Sequence, residues 1–321
     1  MNKISEKLQI LESIKQLYLY GYDFYFDSFT KLYKKNKLPP VLLISGPKGL
    51  GKSTFIYHFI NYILSINEEK TYSLKEKLIN FDNRSFRLLN SNTHPNFFSL
   101  KKSQDQKNIG IEEVRKMISF LNKSTFSNNL KLIMIDNAEN LNIHSSNAFL
   151  KSLEEVKTNT FFFIICHNLS KISSTIKSRS VEFKIFFNHY EKKQIFLKIL
   201  KNEHNNIRIE NALEKLSFDT PGNLLKYLTY ITTEDSEEYP KIISLFIQKY
   251  LSERNSEDLT LISLLIEIFY NKLLISHPYN KFKLFFNRSN ILNKINLFKK
   301  LNLDSKDTFF YIENILRNET R

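Results

Sequence analysis

The stretch VLLISGPKGLGKSTFIYHF, residues 41–59, constrains the fold of this chain more than any other. A short apolar run, a glycine-rich octet and a run of helical length read as strand, tight loop and helix, in that order. The octet GPKGLGKS, residues 46–53, satisfies the pattern GxxxxGK[ST]. Its glycines let backbone N–H groups curl around a phosphate, Lys52 reaches the outer phosphates, and Ser53 offers a hydroxyl to Mg²⁺. Three of the chain's six glycines sit in this loop, which sets it apart from an ordinary surface turn. Gly46, Pro47, Lys48, Gly49, Gly51, Lys52, Ser53 and Thr54 are the candidate nucleotide-binding residues, with ATP or ADP and Mg²⁺ as the ligand.

A second apolar run, LKLIMID, ends in Asp136. A carboxylate delivered there by a buried strand is placed to hold Mg²⁺ through water, opposite Ser53; capping of the next helix is the competing role. A general base for hydrolysis is expected at the next position. Position 137 is Asn, an amide that accepts no proton at neutral pH.

The rest of residues 1–186 supplies the frame. Residues 1–37 read as amphipathic helix broken near Gly21, closed by Pro39-Pro40. A polar stretch runs from about 65 to 93, then come the strand FFSL, a turn near Gly110 and the helical pattern IEEVRKMISFL. TFFFIIC and VEFKIF read as further strands, and SSNAFLKSLEE between the second and third runs has helical periodicity. Strands alternating with helices predict an α/β, three-layer domain on a parallel sheet over residues 1–186. From 190 onward the patterns are helical: YEKKQIFLKILKNE, IENALEKLSF, and NLLKYLTYI after Pro221-Gly222. A small helical domain over 187–235 is therefore expected, with the acidic TTEDSEEYP as linker, and an all-α block over 236–321.

Composition narrows the function classes. A single cysteine, Cys166, excludes an internal disulfide and any cysteine-based zinc cluster, so no zinc is expected. The first residues, MNKISEKLQILESIKQ, interleave charged and apolar residues and do not read as a signal peptide. The longest apolar runs fall well short of a membrane span, so a soluble, cytoplasmic protein without a membrane partner is expected. The formal charge of +14 favours an acidic partner such as nucleic acid, but the lysine excess is spread along the chain.

The stretches HPNF, IEEVRK, IDNAENLN, SSNAFLKSLEE and IICHNLSKISSTIKSRS, in this order, resemble the clamp-loader branch of the AAA+ ATPases, most closely the delta-prime family of bacterial DNA polymerase III. The resemblance covers about residues 15 to 230, and TIKSRS after NAFLKSLEE is its specific part. It implies an AAA+ P-loop domain, a helical lid and an all-α collar in a hetero-oligomer. It also implies an arginine finger, here Arg179, reaching a neighbour's ATP, with Ser180 in place of the family's following Cys.

The departures from the active members concern chemistry. Asn137 stands where they have Glu. Their sensor arginine lies in the lid helix within a Gly-x-x-Arg pattern, and the matching segment DTPGNLL, residues 219–225, is read as putting Gly222 at that place. The first sensor falls on His167, with Asn168 one step away; Val156 replaces a usual Pro, and the family's four-cysteine zinc module is absent. The implied function is a delta-prime-like subunit that binds nucleotide without efficient hydrolysis and activates a neighbouring ATPase subunit. Its partners would be the ATPase subunits and the delta subunit, with the sliding clamp and primed DNA reached through the complex. A catalytic gamma-like or tau-like loader ATPase is the alternative, and a lone nucleic-acid-binding protein a third reading.

Overall fold

The computed structural model describes residues 11–101, 108–123, 130–203, 220–228, 239–253, 256–301 and 303–319. Five short strands carry the first part of the chain: β1 (Val41–Ser45), β2 (Phe97–Leu100), β3 (Lys131–Ile135), β4 (Thr160–Cys166) and β5 (Val181–Lys184). They form one sheet in the order β2-β3-β4-β1-β5, and every pairing is parallel. Each expected strand is present. VEFKIF stops pairing at Lys184, so only its first four residues belong to the sheet.

Successive side chains of a strand point to opposite faces, and here both faces are dry. Leu42, Ile44, Leu132, Met134, Phe163 and Ile165 join one core, while Val41, Leu43, Ile133, Ile135, Phe162 and Ile164 join the other. This is why β1, β3 and β4 read as continuous apolar runs. The first core is closed by α1 (Asp23–Lys34) and α2 (Lys52–Leu64), largely through rings. Phe29 meets Phe55 edge-on at 5.0 Å between centroids, and Phe26 stacks on Tyr72 at 5.0 Å. The second core is closed by α4 (Ile111–Asn122) and α5 (Ile143–Glu154), which bring Val114, Met117, Phe149 and Leu153. Rings packed edge-on add roughly 0.5–1.5 kcal/mol per pair beyond their burial, which suits a chain poor in Gly and rich in Phe.

Two elements differ from the sequence expectation. Residues 11–22 are not helical: Leu19 N–H donates to the Lys77 carbonyl, Ile79 N–H donates to the Leu17 carbonyl, and Gly21 takes φ +76°. The apolar spacing there arises because Ile14, Leu19 and Tyr22 reach the core from a non-helical strap. Within the polar stretch, α3 (Arg84–Asn90) forms behind an Asn83 cap whose side chain accepts from Phe86 N–H at 2.8 Å. At seven residues that helix is too short for periodicity to mark it.

After α6 (Ser174–Ser178), β5 and α7 (His189–Glu203) come α8 (Pro221–Leu228), α9 (Tyr239–Glu253), α10 (Ser256–Ser276), α11 (Lys281–Leu301) and α12 (Ser305–Glu319). No strand occurs beyond β5 among the described residues. IENALEKLSF and TTEDSEEYP lie almost wholly outside them. One compact unit takes in the described residues from 11 to 203 with 220–225, and a second takes in those from 226 onward. The second unit has its own core, including Ile243, Ile262, Leu265, Phe269, Ile291, Phe309 and Ile312.

Candidate nucleotide-binding site

The carboxyl ends of β1, β3 and β4 deliver the site, the usual position for ligands of an open parallel sheet. β1 runs into the loop Gly46–Gly51, and its three glycines take φ +146°, +84° and +86°. These are conformations that side-chain-bearing residues rarely adopt. Gly46 is constrained further, because a Cβ there would lie 2.6 Å from the Ile185 carbonyl oxygen. Gly51 then caps α2, whose first residue is Lys52.

Lys52 is 2% exposed. Its ammonium donates to the carbonyls of Gly46 at 2.6 Å and Pro47 at 2.7 Å, and lies 2.9 Å from His167 Nδ1. Three donors meet three acceptors, so His167 Nδ1 accepts and its ring is neutral in this arrangement. Burial pulls the lysine down to about 8, against the opposing pull of Cys166, Asp136 and Glu139.

Ser53 Oγ donates to Asp136 Oδ2 at 2.9 Å. The other oxygen, Asp136 Oδ1, is buried without a hydrogen-bond partner, and burial raises this carboxyl group above its ordinary value. An orphaned carboxylate oxygen beside a hydroxyl at the edge of a P-loop is a fitting donor set for a hard divalent cation. Among the described residues, no group of three or more His, Cys, Asp or Glu side chains forms a metal cluster. Asn137 takes φ 57°, ψ 52°. Asn tolerates this left-handed region better than Glu does, so backbone geometry gives it a second reason to stand there.

Thr54 is buried, and its hydroxyl donates to Gln16 Oε1 at 3.1 Å. Lys48 and Gly49 face the start of α8: Thr220 Oγ1 donates to the Lys48 carbonyl and Gly222 N–H to the Gly49 carbonyl, both at 2.8 Å. A Cβ on Gly222 would sit 2.8 Å from that Gly49 oxygen. Gly222, the residue read at the sensor arginine's place, is held there by this close backbone approach to the phosphate loop.

Lys52, Ser53, Asp136 and His167 thus come together, while Arg179 stands apart. Its guanidinium donates to Glu154 Oε1 at 2.7 Å and to the Thr175 carbonyl at 3.3 Å, with a longer contact to Ser178. It is solvent-accessible and pairs with Glu154. Sequence reasoning missed Glu139, whose carboxylate accepts the His167 N–H at 3.1 and 3.3 Å. It also missed Tyr22, whose hydroxyl donates to the Leu50 carbonyl at 3.0 Å. No spacing rule flags either residue, since both act through contacts distant in sequence.

Fold and site together define an AAA+-type P-loop domain followed by helical segments. A family model described as DNA polymerase III, delta subunit, matches residues 23–188, and the chain belongs to that family. It is 31% identical over 140 residues to the DNA polymerase III subunit delta′ of Pseudomonas aeruginosa, covering 44% of this chain and 41% of that protein. To the subunit delta′ of Buchnera aphidicola subsp. Acyrthosiphon pisum it is 24% identical over 238 residues, 66% of this chain and 71% of that protein. A solved DNA polymerase III gamma-subunit-related protein from Thermotoga maritima is 18% identical, with TM-score 0.45 over 92% of this chain and 99% of that one. The chain spans less than half the length of the delta′ relative from Pseudomonas aeruginosa.

Proposed function

We propose that this chain is a delta-prime-like clamp-loader subunit that holds ATP or ADP with Mg²⁺, turns it over poorly, and lends Arg179 to a neighbouring ATPase subunit. The observation that carries the reading is a complete P-loop beside a lost base. Lys52, Ser53 and Asp136 are assembled, yet an amide in left-handed backbone follows the aspartate. Loss of general-base assistance typically lowers a rate 10²- to 10⁴-fold. Gly222, read at the sensor arginine's place, would leave the terminal phosphate without that cation.

Backbone N–H groups of residues 48–53 would cradle the phosphates and Lys52 would pair with the outer ones. Ser53 and Asp136 would hold Mg²⁺, whose contribution is to neutralise phosphate charge. Assembly with ATPase subunits and a delta subunit, and access through them to the sliding clamp and primed DNA, belong to the same proposal. Arg179 suits a role in trans because a guanidinium forks onto phosphate oxygens and this one is exposed. Arg179→Ala in the reconstituted complex should cut its ATPase by about 10³-fold or more at the neighbouring site while leaving assembly intact; an unchanged rate removes the finger role.

A carboxylate at Glu139, close enough to act electrostatically on Lys52, favours one second reading, a subunit that hydrolyses its own nucleotide. Sustained turnover by the purified chain, abolished by both Lys52→Ala and Glu139→Gln, would select it.

A further inference from the structure

The helical unit that begins at residue 226 carries an exposed aromatic stripe on a cationic background. One side of α11 is core: Leu284, Ile291, Ile295 and Phe298 are buried. The opposite side begins with Phe282, 87% exposed, and continues through Phe285 and Phe286, 61% and 56% exposed. At about 100° per residue these three rings fall within roughly a third of the helix circumference. Tyr279, just before the helix, is fully exposed. Ser289 and Asn293 continue the same face and are exposed, and one exposed aliphatic residue, Leu297, lies beyond them, so the face is led by flat rings and small polar groups.

Charge on this segment has one sign. Residues 277–301 contain Lys281, Lys283, Arg288, Lys294, Lys299 and Lys300 and no Asp or Glu. The nearby acid is Glu319 of α12, a mostly buried group 3.9 Å from Lys283 Nζ. Arg288 donates to Asn271 Oδ1 at 3.0 Å while its guanidinium carbon lies 5.9 Å from the centre of the Phe285 ring. Lysine flanking is unlike the core of a protein–protein interface, where lysine is depleted. Rings between cations match a single-stranded nucleic acid, whose unstacked bases offer π-faces and whose phosphates offer negative charge. Duplex bases are already stacked and present no such faces.

We infer that the Phe282–Phe285–Phe286 face of α11, with Lys281, Lys283 and Arg288 beside it, is a docking surface for single-stranded nucleic acid. The inference does not depend on Arg179 or on the P-loop, so it fails separately from the functional reading above.

The test is fluorescence anisotropy of a 5′-fluorescein 25-nucleotide oligo-dT titrated with the full chain at 50 and 200 mM NaCl. Single-strand binding weakens with salt by a power of about 0.7 per phosphate neutralised. Three engaged cations therefore predict roughly a twentyfold loss over this fourfold rise in salt. Base stacking at the lower end of its range is about fivefold per ring, so Phe282→Ala/Phe286→Ala should weaken binding about 25-fold or more. Lys281→Glu should weaken binding and flatten the salt dependence, whereas Lys35→Glu on the other unit should change affinity less than about twofold. The two rings are exposed, and circular dichroism of the double variant checks that the fold is kept.

Any of three results overturns the inference. One is a double variant that binds oligo-dT like the parent. Another is equal affinity for a 25-base-pair duplex. The third is a double variant with unchanged nucleic-acid affinity that loses self-association or subunit assembly in size-exclusion chromatography, which would make the face a protein-docking surface.

Discussion

Raising the pH from 7 to 9 should weaken nucleotide binding to this chain about tenfold, through one group. Lys52 is buried, and burial lowers it to about 8 in spite of Cys166, Asp136 and Glu139 nearby. Its charge, which a polyphosphate needs, is present below that value and lost as pH rises through it. The apparent dissociation constant then scales as one plus ten to the power (pH minus 8), about 1.1 at pH 7 and about 11 at pH 9. Stability of the nucleotide-free chain should move the other way. Its ordinary value is 10.5, so between pH 8 and 10.5 the unfolded state binds more protons, and this group's contribution to stability rises with pH. The assay is equilibrium titration with a fluorescent ADP analogue at constant ionic strength and saturating Mg²⁺, for the parent and for Lys52→Met. A flat affinity between pH 7 and 9, or a slope that survives Lys52→Met, would refute the assignment of Lys52 as the phosphate-pairing cation.

Gly222→Ala places a Cβ 2.8 Å from the Gly49 carbonyl oxygen. It should cost about 1–3 kcal/mol and weaken nucleotide binding, read by thermal unfolding and the same titration. His58 is fully buried between Tyr72 and the Gln16 carbonyl and lowered to about 3. In the folded chain it stays neutral down to about 3 while the unfolded histidine takes up a proton below 6.5, so stability falls as pH drops below 6.5, by about 2 kcal/mol at pH 5. Denaturant unfolding at pH 7 and 5 should show this loss, and His58→Asn should remove it. Asn137→Glu puts a longer side chain at φ 57° and should lower stability by about 1 kcal/mol, whereas Asn137→Gly should stay within about 0.5 kcal/mol. Matching midpoints for the two variants would leave the left-handed backbone without a role at that position.

The parallel sheet was legible because it is buried on both faces. A strand that sends alternate side chains into two dry cores has to be apolar throughout, and β1, β3 and β4 announce themselves for that reason. The P-loop was legible because its backbone demands glycine at positions that no other residue fills without strain, and Gly46 and Gly49 meet that demand. Over residues 11–20 the expected helix is absent because helical spacing of apolar residues also arises in an irregular strap whose apolar side chains, Ile14 and Leu19, drop into a neighbouring core.

Local order in the sequence by itself determined the strand–loop–helix of the phosphate site, the carboxylate at the end of β3, and the all-helical character of the described residues after β5. Tertiary structure alone decided what those residues meet: His167 on Lys52, Glu139 on the His167 backbone, Glu154 on Arg179, and Gly222 against Gly49. Gly49 and Gly222 lie far apart along the chain, and no periodicity reaches that distance. Propensity and pattern act over a turn or a strand. Contacts like these exist only after two cores have closed and brought separate loops to the same edge of one sheet.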